Sequence, residues 1–171
     1  MHNFFKTILL FTTISMTTMP ALAGGSLDGR TVTFRVLAFD DPANPLFIGQ
    51  GRTVQIGKGV EFGLSKEGSQ NDVDVVPVEV NISDTRIELD YANTHKGKFL
   101  AATFNGYELT FPTQCALIMS ASIDGGATNL PLDSSALTFE PGRLLINVEG
   151  LSHSQTSQMA IDVEVGDCPL S

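Results

Sequence analysis

Several aspartates in this sequence stand where hard-cation chemistry could use them. Asp40 and Asp41 form an acidic pair before Pro42, "SQNDVDV" (69–75) spaces Asp72 and Asp74 two residues apart, and Asp124 opens an Asp-Gly-Gly turn. Residues at that spacing on an extended segment share a face. Carboxylate oxygens beside flexible backbone are the ligands that Ca²⁺ takes in extracellular β-domains. The sequence has no EF-hand loop, so two expectations stand: solvated acidic turns, or a calcium site assembled from separate loops. The same carboxylates could serve a hydrolase, which needs two of them across a cleft. With 19 acidic residues some such pair is unavoidable, so the count alone decides nothing.

Other chemistries are less well provided for. "GLSHS" (150–154) holds Ser152, His153 and Ser154, but neighbours on a strand point to opposite faces and the Gly-x-Ser-x-Gly elbow is missing. The reading is a polar loop. Two cysteines and the histidines His95 and His153 leave no compact zinc ligand set. A sugar platform normally stacks flat rings on its ligand, whereas this chain has no Trp, 2 Tyr and 11 Phe, and most of the Phe fall at core positions or in the first 23 residues.

The elements that must position these residues are strands. Apolar residues alternate with polar ones almost throughout, and no stretch keeps a helical stripe over three turns. In "RTVTFRVLAF" Val32, Phe34 and Val36 share one face and Thr31, Thr33 and Arg35 the other. The same reading puts Val60, Phe62 and Leu64 on the core face of "GVEFGL", and Ile87, Leu89 and Tyr91 on that of "RIELDY". It assigns Leu144, Ile146 and Val148 to the core, followed by Met159, Ile161, Val163 and Val165. "VDVVPVEVNI" reads as one strand, at an edge or bulged at Pro77, which cannot donate to a ladder. "CALIMSASI" reads as buried on both faces. Asn105-Gly106 reads as a two-residue type I′ hairpin between Phe104 and Tyr107. About ten short strands with turn signals at sandwich spacing predict one all-β domain. It is an antiparallel β-sandwich, and jelly-roll and immunoglobulin-like topologies both fit.

The first residues read as a processing segment. Lys6, an apolar stretch from Ile8 to Met19 broken by threonines and a serine, Pro20, and Ala21-Leu22-Ala23 predict a signal peptide over 1–23. The mature domain is then 24–171, with no transmembrane anchor. The formal net charge is −9 and the Lys and Arg are scattered, which argues against a nucleic-acid partner or an anionic membrane surface. In an oxidising compartment, Cys115 and Cys168 are expected to form a structural disulfide.

The order "VNISDTRIELDY", "AATFNGYELTF", "LTFEPGRLLINVEGL" and "MAIDVEV" resembles an uncharacterised group of exported β-rich domains in proteobacteria. Many of its members carry a PEP-CTERM sorting tail. The resemblance covers about Thr31 to Val165 and implies export, with no activity or catalytic residues to transfer. This chain departs from the group in closing on "GDCPLS" without a Pro-Glu-Pro motif. A periplasmic or secreted product is expected.

The leading expectation is a non-catalytic binding or structural accessory domain of the envelope or extracellular space, with a protein or glycan as partner and no resident cofactor. Its rivals are a calcium-stabilised adhesion or ligand-binding module, and a secreted hydrolase with a carboxylate site.

Overall fold

The computed structural model describes residues 25–63, 69–70, 73–111 and 116–167. In chain order the strands begin with β1 (Thr31–Phe39), β2 (Phe47–Ile48), β3 (Arg52–Gln55), β4 (Val60–Phe62), β5 (Ser69–Gln70), β6 (Val73–Asp74), β7 (Glu79–Ser83) and β8 (Arg86–Asp90). They continue with β9 (Gly97–Lys98), β10 (Phe104–Thr110), β11 (Ala116–Ile123), β12 (Leu137–Glu140), β13 (Arg143–Asn147), β14 (Ser152–His153) and β15 (Gln158–Asp167). A single 3₁₀ turn, Ser134–Ala136, is the only helical element among the described residues. The fold is all-β, as the alternation predicts.

Two sheets carry most of the chain. The first runs β12-β13-β10-β1, and the far side of β1 is shared by β2 at one end and β3 at the other. Gly49-Gln50-Gly51 separates those two half-strands, and a Cβ on Gly51 would come within 2.9 Å of the Thr33 methyl. The second sheet runs β11-β15-β8-β7-β4. Two small ladders, β9 with β14 and β5 with β6, complete the set. Turn chemistry sets the hairpins. Pro141-Gly142 joins β12 to β13 with Gly142 at φ 75°, and Asp84 starts the β7–β8 turn at φ 39°, a left-handed value that Asp tolerates.

The two inner faces make one core. Phe34 of β1 stacks on Phe62 of β4 at 5.1 Å and on Tyr107 of β10 at 5.5 Å, so a single ring ties the sheets together. The Tyr107 and Tyr91 hydroxyls hydrogen-bond at 3.1 Å, which satisfies both phenols inside the sandwich. Burial raises both pKa values. Val32, Ile87, Leu89, Leu144, Ile146, Met159 and Ile161 are all buried, on the faces their alternation assigns.

Four local expectations fail, each for a reason of pairing. Asn105-Gly106 is no turn: both lie inside β10, with Gly106 paired to Leu37 on one side and Asn147 on the other. "CALIMSASI" is not buried on both faces, because β11 is an edge strand whose Met119 is exposed. Val60 is exposed because a register shift between Val60 and Phe62 turns it outward. The stretch around Pro77 is not one strand. β6 ends at Asp74, residues 75–78 leave the ladder, and β7 starts after Val78 between two neighbours. Leu64, the 1–23 segment, Cys115 and Cys168 lie outside the described residues. The last described rung of the β11–β15 ladder pairs Ala116 with Asp167, the residues adjoining the two cysteines.

Candidate functional site

The aspartates singled out for cation binding go to different parts of the fold. Asp40 Oδ1 accepts the Thr103 N–H at 2.9 Å in the turn after β1. Beside it, Asp41 accepts the Ala43 N–H at 2.9 Å and an Asn44 amide hydrogen at 2.7 Å, which together hold its carboxyl below the usual range. Asp124 follows β11 in the other sheet. The Arg86 guanidinium at 2.8 Å and the Gly126 N–H at 2.9 Å lower its pKa. Asp72 and the side chain of Asp74 lie outside the described residues. Among the described residues, no three His, Cys, Asp or Glu side chains are grouped to hold a metal ion.

Arg86 on β8 gathers Glu88 at 2.9 Å, Asp124 at 2.8 Å and Asp162 at 2.7 Å, and these carboxylates raise its own pKa, Glu88 first. Beyond it on the outer face, Glu79, Glu88 and Asp90 line a trough of about 310 Å³. Glu79 and Asp90 are directly opposed across β7 and β8, a like-charge pairing that disfavours anionic company.

The Ser-His-Ser stretch is split by the β alternation. Ser152 is exposed, while His153 is 7% exposed and lies against Phe99 with centroids 4.7 Å apart. Its Nδ1 has no hydrogen-bond partner among the described residues. Burial lowers the ring's pKa, opposed by a hydrogen bond to the His95 carbonyl. The folded state therefore takes up this proton less readily than the unfolded chain, whose histidine titrates near about 6.5. Stability present above that pH is lost as pH falls towards the lower folded value. Urea midpoints at about pH 7.5 and about pH 5.5 should show this decline, and His153→Leu should flatten it. An equal slope in the variant would remove His153 as the cause.

Among the described residues, an apolar cleft of about 230 Å³ lies at one end of the sandwich. Its apolar lining comes from Val36 and Ala38 of β1, Tyr107 of β10, Val148, Val75 and Val76, with Phe47, Phe99 and Leu100. The cause is local. Residues 75–78 do not pair, so valines that would otherwise extend β7 line this cleft together with residues of the first sheet. Val36, Val75 and Val76 stay partly exposed, and Leu100 is 62% exposed at the rim. Among the described residues, Lys98 is the single charged one in the lining. It forms no ion pair among the described residues.

The chain matches no family model, no curated protein and no solved structure. The cleft residues were missed in the sequence because each reads locally as core. Two signals were present. Pro77 directly follows Val75-Val76 and breaks their ladder, and Phe99-Leu100 is an apolar doublet that interrupts alternation after Lys98.

Proposed function

We propose that the protein is an exported, non-catalytic binding domain, and that the cleft bounded by Val36, Val76, Phe99 and Tyr107 is its ligand site. One observation carries the reading: the two sheets share one buried hydrophobic core, yet they leave an apolar concavity open at this end. Ligand sites are characteristically concave and apolar, with a few polar groups at the margin. Exposure of Leu100 at the rim leaves apolar surface uncovered where a ligand would cover it. The alternation of Ser152 and His153 and the capture of Asp124 by Arg86 also favour binding over hydrolysis. Export rests on the 1–23 leader and on the resemblance to exported β-rich domains, with the periplasm or the medium as destination.

The test has two arms. A neutral naphthylamine dye should fluoresce on binding the folded protein. Val36→Phe, which places a larger ring in the cleft, should cut that binding about tenfold while holding the melting temperature within a few degrees. Equal binding by the variant would place the dye elsewhere and end the proposal. For export, N-terminal sequencing of protein recovered from periplasm or medium should begin at Gly24.

A further inference from the structure

Resting on the cleft being a ligand site, we infer that its ligand is a small amphiphile: an apolar body of roughly ten non-hydrogen atoms ending in an anionic group, such as a medium-chain carboxylate. The size follows from volume. A cavity of about 150 Å³ holds benzene, so the 230 Å³ between Val36, Val76 and Phe99 takes a somewhat larger apolar body. A long acyl chain would project out of it.

The charge follows from the lining. Among the described residues, Lys98 is the cleft's single ionisable side chain apart from the Tyr107 phenol, which is spent on Tyr91. Its ammonium is exposed and makes no ion pair among the described residues, although the chain carries 19 acidic residues against 10 basic ones. The Asn105 side chain on the same rim is already committed, donating to the Leu100 carbonyl at 2.9 Å. The trough on the second sheet has the reverse character, with Glu79, Glu88 and Asp90 in its lining. An amphiphile with an anionic end is therefore favoured in the Lys98 cleft and disfavoured in the acidic trough. A cationic one has the opposite preference.

Three probes share one tail: octanoate, octanol and octyltrimethylammonium. Residue-resolved amide shifts in an NMR titration should move at Val36, Val76 and Phe99 with octanoate and octanol. Octanoate should bind more tightly, and Lys98→Gln should weaken octanoate by about three- to fivefold while leaving octanol unchanged. Octyltrimethylammonium should bind this cleft most weakly. If none of the probes shifts the cleft residues, the ligand-site reading itself fails. If octanol and octanoate bind equally and Lys98→Gln changes neither, or if the cation binds best, the cleft stands as a site and the anionic class is overturned.

Discussion

Replacing Gly106 with alanine is expected to lower the melting temperature by roughly 6–12 °C, corresponding to a loss of about 3 kcal/mol at the upper end of overpacking costs. A Cβ at this position would sit 1.9 Å from the Ile146 carbonyl oxygen. The obstacle is backbone in the middle of a sheet, not the end of a side chain that could swing aside. β10 lies between β1 and β13, and Gly106 pairs with Leu37 on one and Asn147 on the other. A shift that relieves one ladder strains the other. Gly106 is not among the positive-φ glycines, so the constraint is space and not backbone angle. Gly57→Ala is the control. Its Cβ would have nothing within 4 Å, and the same methyl there should leave stability unchanged or slightly raised. Matching melting curves for Gly106→Ala and the parent would refute the close approach.

The same glycine shows where the sequence was legible and where it was not. Alternation identified the inner faces of β1, β8, β13 and β15 because each is buried on one side, which is what a period of two reports. Asn-Gly carries the same local signal whether it turns a hairpin or lets two strands approach. The choice was made by β13, some forty positions downstream. Central or edge position is equally hidden. β11 reads as doubly buried, yet it is an edge, and its exposed Met119 lies over Gly166, whose Cβ would come within 3.2 Å of the methionine Cγ. The cleft was illegible for a related reason: Val36, Val76, Phe99 and Val148 meet only after the sheets assemble. Among the nominated aspartates, the turn role of Asp41 follows from its neighbours Ala43 and Asn44, whereas Asp40 accepts from Thr103, 63 residues away. Asp124 is held by Arg86, a partner that only the sheet supplies.

The second large effect concerns an ion cluster of the same kind, on the outer face of the first sheet. Alternation puts Arg35 on the outward face of β1, yet its partner Glu108 on β10 is only 2% exposed. Arg35, directly opposite it on β1, reaches Glu108 Oε2 through Nε, and Arg143 on β13 reaches Oε1 through its own Nε at 2.7 Å. The cluster is asymmetric, since the arginine side chains are 39% and 37% exposed. The two directions of breaking it should therefore differ. Removing both cations in Arg35→Met/Arg143→Met strands a buried carboxylate, which should cost about 3–5 kcal/mol at neutral pH. Glu108→Gln instead releases two guanidiniums that can turn to water, and the amide oxygen can still accept one donor. That cost should be about 1 kcal/mol. Urea denaturation of the three proteins at neutral pH measures both losses. If Glu108→Gln were the more damaging change, stability would lie in holding the arginines and not in covering the acid.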